Sequence, residues 1–293
     1  MSDNKTTAVI ALGYFDSVHR GHKKVIQTAK NLADLQGAKT VVFTFKGNLR
    51  AKISNKEQKQ VFTIRERSEF MYEVGVDEIF FAPTTNTFLS MGKLAFLNFL
   101  NKKYNIKGYV CGEDYHFGKF GKGDVNYLKE YAKAKNQTVK IVETENILGE
   151  RISTTAVKKM LENGDLSNIK EYLGRDYSVS GEVFKDRKVG RKIGFPTVNI
   201  KIEKDKQCIK DGVYAGYCII EGKTYRAVIN FGARPTYSLL GKLLEAHIID
   251  YSGDLYGKYM TVYFDKYLRE IKKFESEDAL KEQLKVDIKL SRG

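Results

Sequence analysis

The chain has 293 residues, which is long for a single hydrophobic core and favours two domains. Its hydrophobic content of 42% and charged content of 29% are typical of a globular protein, and no apolar run approaches the ~20 residues that a membrane-spanning helix needs. The three cysteines are widely spaced and odd in number, which argues against a disulfide framework or a zinc knuckle. Together with an N-terminal apolar run too short for a signal peptide, they predict a cytoplasmic protein.

The net charge of +14 has two interpretations. A strongly basic protein can bind nucleic acid through phosphate contacts, or its lysines can simply solvate the surface and attract small anionic substrates. Because the basic residues are spread along the whole chain and form neither an arm nor a tail, we favour small anions over nucleic acid as partners.

Strand-like and helix-like segments alternate through the first half. Strands are predicted at 7–13, 39–45, 76–82, 109–112 and 139–143. Helical patterns lie between them, at 22–37, 63–74 and 91–101 among others. This alternation predicts an α/β domain with a parallel sheet and helices on both faces, whose ligands bind beyond the carboxyl ends of the strands.

The second half has a different pattern. Residues 153–173 predict two short helices, and after Gly174 the chain has short, alternating β-branched and aromatic segments separated by glycine turns. This spacing predicts a small antiparallel β-barrel, and the periodic tail at 276–290 predicts a capping helix. We therefore expect two domains, residues 1–168 and residues 169–293.

Two of the four histidines lie in the stretch GYFDSVHRGH, residues 13–22, directly after the first predicted strand. A helix is expected to begin near Gly21, and the free backbone N–H groups of its first turn attract anions. The imidazoles of His19 and His22 can donate to phosphate oxygens and stabilise charge that builds during nucleotidyl transfer. The alternative is two polar histidines at an ordinary helix start.

The order of strand, G-x-F-D, H-x-G-H and helix resembles the nucleotidylyltransferase superfamily. That resemblance implies a partner segment at the end of the domain, and RISTTAVKK, residues 151–159, is a candidate. Hydroxyls at a helix start and a lysine for the outer phosphates are offered by Ser153, Thr154, Thr155 and Lys158. The alternative is a Ser/Thr N-cap on an ordinary helix.

A second phosphate site is predicted within GEVFKDRKVGRKIGFPTVN, residues 181–199. Thr197 and Asn199 point the same way in an extended run, and their oxygens suit Mg²⁺ together with phosphates. A glycine-rich basic loop can also wrap phosphates through its backbone N–H groups. The nucleotide-binding residues predicted in this loop are Gly190, Arg191, Gly194 and Pro196. The alternative is a glycine-rich turn with surface lysines.

Further along, LLEAHIIDY, residues 243–251, alternates, so Glu245 and His247 share one face of a predicted strand. A glutamate near a phosphate loop can act as a general base toward a hydroxyl. The alternative is a solvated strand face, and spacing alone does not choose between the two.

Together, these motifs resemble the prokaryotic bifunctional riboflavin kinase/FAD synthetase family over nearly the full length of the chain. The first half carries the resemblance in GYFDSVHRGH, CGEDYHFGKFGKGD (111–124) and RISTTAVK. The second half carries it in GRKIGFPTVN, DGVYAG (211–216), NFGARPT (230–236), EAHIID, DLYGK (254–258) and LREIKKF (268–274).

The resemblance implies two ATP-dependent reactions with riboflavin, FMN and FAD as substrates and products. The barrel would be a riboflavin kinase that forms FMN, with Thr197 and Asn199 holding Mg²⁺ and Glu245 as the base. The glycine-rich loop would cover the nucleotide. The residues implied to bind the flavin in this domain are Tyr256, Arg269 and Phe274.

The first domain would be an FMN adenylyltransferase, which joins FMN to the AMP part of ATP and releases pyrophosphate. His19 and His22 would serve the α-phosphate as catalytic residues. The flavin side would include Asp114 and Phe117. The nucleotide would be bound by the partner segment and by Gly13, Phe15, Asp16 and Gly21.

Two alternatives stay open, one because of departures from the family pattern and one because of the net charge. Ser17 stands where the family motif has glycine, and Ala156 and Lys158 stand where the family segment S-S-T-R-I-R has arginines. Losing guanidinium groups removes bidentate phosphate contacts, which leaves a monofunctional riboflavin kinase with a degraded adenylyltransferase domain as one alternative. The other is a basic flavin sensor that binds nucleic acid, and it rests on the net charge alone.

Overall fold

The structure is a computed structural model that describes residues 5–54, 58–147, 149–185, 194–233 and 242–292. The chain divides into two compact units, Met1–Thr154 and Thr155–Gly293. The domain boundary expected between residues 168 and 169 stays a prediction. Along the described ranges, no helix is both long enough and apolar enough to cross a membrane.

The first unit contains the parallel sheet that the alternating pattern predicts. Its strands are β1 (Thr7–Leu12), β2 (Lys39–Phe45), β3 (Glu78–Ala82), β4 (Asn105–Gly112) and β5 (Thr138–Val142). They lie in the order β3-β2-β1-β4-β5, and the neighbouring pairs are parallel. The helices are α1 (Arg20–Leu35), α2 (Leu49–Ser54), α3 (Ile64–Glu73), α4 (Asn86–Leu89), α5 (Lys93–Lys103) and α6 (Val125–Lys133). A short hairpin of β6 (Asn146–Ile147) and β7 (Glu150–Arg151) follows.

The strand order places the candidate site at the carboxyl ends of the central strands of this sheet. β1 is central and buried from Ala8 to Leu12, because both faces of a parallel sheet are covered. β2 and β3 lie on one side of β1, whereas β4 and β5 lie on the other. In such sheets a crevice opens at the carboxyl ends of the two strands where the order reverses. The stretch GYFDSVHRGH follows β1 there, and the segment after Gly112 follows β4.

The second unit contains a closed antiparallel barrel, and the predicted fold of this half is confirmed. Its strands are β8 (Tyr177–Phe184), β9 (Val198–Lys201), β10 (Gly212–Ile220), β11 (Lys223–Ala233), β12 (Lys242–Ile248) and β13 (Tyr259–Arg269). They close in the order β10-β11-β12-β9-β8-β13, so no strand edge is left free. The helices associated with it are α7 (Thr154–Asn163), α8 (Leu166–Leu173) and α9 (Glu277–Arg292).

Alternate residues of each strand fill the barrel interior. On β12, Leu244, Ala246 and Ile248 are buried, and Glu245 and His247 therefore point to the outer face. The two polar side chains share a face, as the alternation of the sequence predicts. This outer face of β12 carries the candidate site of the second unit.

The C-terminal helix α9 packs against the outside of β10 and β11. Ile288 lies against a small apolar cluster that includes Val213 and Val228. Arg269, at the end of β13, donates to both carboxylate oxygens of Asp287 at 2.7–3.2 Å, and only 1% of the Asp287 side chain is exposed. This buried bidentate ion pair fixes the helix to the barrel.

Candidate active sites

The first unit has a cavity of about 990 Å³ at the carboxyl ends of its strands. Its wall combines polar groups with several phenylalanines, among them Phe43, Phe88 and Phe96. A cavity of this size with apolar walls and a few polar groups is the usual form of a small-molecule site. The residues singled out in the sequence that line it are Gly13, Phe15, His19, Gly21, His22, Asp114, Phe117, Ser153 and Thr154.

The backbone of the loop after β1 is strained. Phe15 and Val18 have positive φ angles of 49° and 41°, and both side chains are buried. This conformation is costly for any residue with a Cβ and most costly for a β-branched one such as Val18. Strain of this kind persists only where surrounding contacts enforce it, and it clusters at ligand sites.

Two buried side chains supply such contacts. Asp16 accepts a hydrogen bond from the Val61 N–H at 2.8 Å, so this predicted nucleotide-binding residue holds the loop itself. Arg67 on α3 donates from Nη1 to Tyr14 O at 3.2 Å and from Nη2 to Phe45 O at 3.1 Å. Burial lowers the pKa of Arg67, and the charge of Asp16 acts in the opposite direction. No motif in the sequence pointed to Arg67.

Ser17 links the loop to the second predicted motif. Its Oγ lies 3.1 Å from Thr154 Oγ1, and both side chains are buried. The hydroxyl that replaces the family's glycine thus joins GYFDSVHRGH to RISTTAVKK across 137 positions of the chain. Thr155 and Lys158 lie on α7 within the second unit, and their roles stay predictions.

His19 and His22 form a stacked pair at the start of α1. Their ring centroids are 3.6 Å apart, and their planes differ by 7°. His19 is the N-cap, because its Nδ1 accepts a hydrogen bond from the His22 N–H at 3.2 Å. The proton of the neutral His19 ring therefore lies on Nε2, which can donate to a ligand. The backbone N–H of His22 is therefore capped by the neighbouring imidazole, and the anion-binding role of the first turn stays a prediction.

Burial makes the stability of this unit depend on pH through His19. Its side chain is only 7% exposed, and desolvation lowers its pKa from 6.5 to about 4. Below pH 6.5 the unfolded chain binds a proton that the folded chain does not, so stability is lost as the pH falls from 6.5 toward 4. We expect a loss of roughly 3 kcal/mol over this window.

Denaturant unfolding between pH 7 and pH 4 measures this effect. His19→Asn keeps an N-cap acceptor but carries no titratable ring, so its stability should fall less over the same window. Equal slopes for the variant and the wild type would contradict the prediction.

Gly21 leaves little room beside His19. A Cβ added at Gly21 would lie 3.3 Å from Cε1 and 3.4 Å from Nδ1 of the His19 ring, so the ring would have to shift. Gly21→Ala should raise helix stability by up to about 1 kcal/mol, because alanine is the better helix former. At the same time it should slow the chemistry of this cavity roughly tenfold by displacing the imidazole.

Melting temperature and the rate of FAD formation from FMN and ATP test these two effects separately. Gly92→Ala is the matched control, since in the described part of the chain its added Cβ meets nothing within 4 Å. A Gly21→Ala protein with wild-type activity would show that the ring position is unimportant.

The residues predicted for the flavin side of the cavity have different environments. Phe117 is only 5% exposed and stacks on Tyr115 with centroids 5.8 Å apart, so it belongs to the aromatic core as well as to the cavity wall. Asp114 is exposed, and its carboxylate accepts from Arg151 Nη2 at 2.7 Å. Asp114 and Arg151 therefore form an ion pair at the cavity wall.

Three polar side chains lie side by side on the outer face of the barrel, on β9, β12 and β11. Asn199 pairs with Glu245, and Glu245 pairs with Asn230, in register. Directly opposite residues share a face, and Asn230 Nδ2 donates to Glu245 Oε2 at 3.3 Å. Asn199 is 6% exposed, and among the described residues its Oδ1 has no hydrogen-bond partner. Because a buried unpaired oxygen is costly, this row indicates a ligand site, and Thr197 stands just before β9 next to it.

The segment before β9 is tied to β12. Pro196 O accepts a hydrogen bond from His247 Nδ1 at 2.8 Å, which holds the end of the predicted phosphate loop near the row. Gly194 has a φ angle of +85°, a conformation that glycine adopts readily. Two further residues predicted to bind the nucleotide, Gly190 and Arg191, lie outside the described residues.

The residues predicted to bind flavin in the second unit lie in turns and at the end of β13. Tyr256 N–H donates to Asp254 Oδ1 at 3.0 Å. Arg269 Cζ lies 5.8 Å from the ring centroid of Phe274, while the guanidinium itself binds Asp287. A role for Arg269 in closing the pocket would therefore act through the position of α9 and Phe274, and it stays a prediction.

Comparison with known proteins matches the two halves of the chain to two different families. The FAD synthetase family model matches residues 1–156, and the riboflavin kinase family model matches residues 173–293. A bifunctional riboflavin kinase/FMN adenylyltransferase from Listeria monocytogenes is 32% identical over 95% of this chain and 90% of its own length. The chain belongs to the bifunctional riboflavin kinase/FMN adenylyltransferase family.

Two further proteins show how far the similarity extends. The bifunctional riboflavin kinase/FMN adenylyltransferase of Buchnera aphidicola is 30% identical over 97% of this chain and 93% of its own length. A crystal structure from Streptococcus pneumoniae, described as a macrolide-efflux protein, superposes with a TM-score of 0.86 at 28% identity, covering 98% of this chain and 94% of that one. Membership of the riboflavin kinase/FMN adenylyltransferase family confirms the resemblance, and it favours two transferase activities over both alternatives.

Proposed function

We propose that this chain makes flavin cofactors in two ATP-dependent steps, one in each unit. In the barrel, the γ-phosphoryl group of ATP moves to a ribityl hydroxyl of riboflavin, giving FMN and ADP. In the parallel-sheet unit, FMN displaces pyrophosphate from the α-phosphorus of ATP, giving FAD. The proposal is carried by one observation: each unit has its own partly buried set of polar side chains suited to phosphate chemistry, the His19–His22 stack and the Asn199–Glu245–Asn230 row.

Glu245 is the general base of the proposed kinase step. It would accept the proton of the ribityl hydroxyl while that oxygen forms its bond to the γ-phosphorus and ADP leaves with the electron pair of the broken bond. Phosphoryl transfer asks mainly for positioning and charge neutralisation, and a carboxylate on a barrel strand is well positioned. The glycine-rich loop would cover the phosphates through its backbone N–H groups.

Mg²⁺ would be held by Asn199 and Thr197. The buried Oδ1 of Asn199, which is unpartnered among the described residues, fits a hard cation that prefers oxygen ligands. When bound with ATP, the ion supplies neutralisation of the phosphate charges. Asn199 lies directly opposite Glu245 and so places this function beside the base.

His19 and His22 would serve the α-phosphate in the adenylyl transfer step. The low pKa of His19, about 4, keeps the ring neutral near pH 7, so it would donate through Nε2–H without carrying a fixed charge. Donors placed where negative charge develops stabilise the transition state. The hydroxyls of Ser153 and Thr154 would bind phosphate oxygens, and Phe117 would lie on the flavin side.

Purified protein with riboflavin, ATP and Mg²⁺, followed by chromatographic separation of the flavins, tests the proposal. FMN should form first, and FAD should follow. FMN without FAD, even when FMN is supplied, would instead support the degraded adenylyltransferase domain. A basic flavin sensor would form neither product and would bind RNA or DNA at ~150 mM salt. The cytoplasmic location stays a prediction.

A further inference from the structure

Asn199, Glu245 and Asn230 form the barrel row on the outer face of the second unit. Asn230 is the member of this row for which the sequence predicts no role. It lies on β11 directly opposite Glu245 on β12, and its Nδ2 lies 3.3 Å from Glu245 Oε2. Residues directly opposite in an antiparallel pair place their side chains on the same face. The strand register therefore fixes this contact.

The chemistry of the two groups decides which way the amide of Asn230 faces. A carboxylate only accepts hydrogen bonds, whereas an amide donates from nitrogen and accepts at oxygen. Turning the amide over would set Oδ1 against a negatively charged oxygen, so the NH₂ group faces Glu245. A donor to a carboxylate stabilises the charged form and thereby opposes its protonation.

The same orientation leaves an acceptor unused. Among the described residues, Oδ1 of Asn230 is buried without a hydrogen-bond partner, and so is Oδ1 of Asn199 on the other side of Glu245. Two unpaired oxygens flanking one carboxylate are costly in the ligand-free protein. Hydroxyl groups of a polyol could donate hydrogen bonds to these two oxygens, or a bound cation could be coordinated by them. Because both oxygens flank Glu245, a polyol bound to them would have a hydroxyl within reach of the Glu245 carboxylate.

The titratable groups near Glu245 lie on several elements. His247 is two residues further along the same face of β12, and its Nδ1 is held by a backbone carbonyl of the segment before β9. Lys201 on β9 pairs with the residue two before Glu245 and is exposed. The ion pair between Lys242 Nζ and Asp211 Oδ1, at 2.5 Å, lies at the start of β12. On β11 the group facing the carboxylate is the neutral amide of Asn230.

We propose that Asn230 is a positioning residue of the kinase step, which holds the Glu245 carboxylate aimed along the outer face of the barrel, where the polyol hydroxyl approaches. The inference rests on the proposed role of Glu245 as general base. It assigns a task to Asn230 that is distinct from binding ATP or metal.

Asn230→Leu tests this role, because it keeps the approximate volume and removes the donor. We expect kcat for FMN formation to fall roughly ten- to a hundredfold with little change in KM for riboflavin or ATP. Asn230→Asp should lower kcat with the same small change in KM, because it replaces the donor with a second carboxylate directly opposite Glu245. FAD formation from supplied FMN should be unchanged in both.

Thr261→Val is the matched control. It removes a cross-strand hydroxyl contact of the same barrel, between Ser180 Oγ and Thr261 Oγ1 at 2.9 Å, and should leave kcat and KM for FMN formation unchanged. Melting temperatures show whether each variant is folded. If Asn230→Leu does not fold, Asn230→Asp, which is nearly equal in size, carries the test.

Three outcomes separate this inference from the proposed function. Glu245→Gln with intact FMN formation would contradict the base itself. Loss of FMN formation in Glu245→Gln, together with wild-type kcat in Asn230→Leu, would overturn the role of Asn230 alone. A fall in kcat in His247→Asn that Asn230→Leu does not share would assign the positioning of Glu245 to the imidazole and would likewise overturn it.

Discussion

FMN formation should fall below detection in Asn199→Ala, while FAD formation from supplied FMN continues at the wild-type rate. The variant removes the buried oxygen that we propose as a ligand for Mg²⁺ beside Glu245, and phosphoryl transfer depends on neutralising the phosphate charge. The variant leaves every residue proposed for the adenylyl transfer step unchanged, and the cavity proposed for that step lies in the other compact unit. Chromatography of the flavins formed from riboflavin, and separately from FMN, measures both rates.

Asn168→Ala is the control for the loss of an asparagine in the same unit. Asn168 Nδ2 donates to Asp165 Oδ2 at 2.6 Å in the first turn of α8, so the change weakens a helix start and leaves the barrel row intact. It should keep both activities. Kinase activity that survives in Asn199→Ala would show that the metal and phosphates are held elsewhere.

The converse effect is expected at His22. His22→Ala should lower FAD formation from FMN and ATP by roughly 10²–10³-fold and leave FMN formation from riboflavin unchanged. The ring lines the cavity and stacks on His19 at 3.6 Å, so its loss removes one proposed donor to the α-phosphate and the support of the other. Initial rates with FMN as the flavin substrate give the effect directly.

Gln27→Ala on the same helix is the matched control, because Gln27 is exposed and, among the described residues, its side chain donates along the helix to Asn31 Oδ1 at 3.0 Å. It should retain both activities. An adenylyl transfer rate that is equal in His22→Ala and Gln27→Ala would rule out a catalytic part for the histidine pair.

Much of the first unit was predictable because its elements are local patterns. The run 39–45 is buried and β-branched, and β2 occupies the same residues. β4 begins four residues earlier than the predicted run at 109, because Ile106 is buried while Lys107 is exposed, and a half-buried start lacks the continuous apolar signal. The alternation of strands and helices alone predicted that a ligand would bind beyond the carboxyl ends of the strands, and the cavity lies at those ends.

The barrel shows what local patterns do not contain. β9 is only four residues long and lies between β12 and β8, which are far from each other in the sequence. Its position depends on pairings such as Asn199 with Glu245, and no periodicity within a segment encodes them. The sequence shows Asn230 only as the first residue of the motif NFGARPT. Its position opposite Glu245 depends on the register between β11 and β12, which the sequence does not reveal.

Two contacts of the first unit were hidden for the same reason. The sequence shows Ser17 only as a departure from the family's glycine, whereas its partner Thr154 lies 137 positions away. Arg67 belongs to no motif, and its two backbone acceptors lie just after β1, at Tyr14, and at the last residue of β2, Phe45. Such contacts hold a site in place without appearing in its signature.

The positive φ angles of Phe15 and Val18 have a consequence for each catalytic cycle. A backbone already bent into an unfavourable shape, and held there by buried neighbours, does not have to be ordered when the nucleotide that we propose for this cavity binds. The entropy of shaping this loop is therefore lost once, when the chain folds, and the free energy of nucleotide binding is not diminished by it at every turnover.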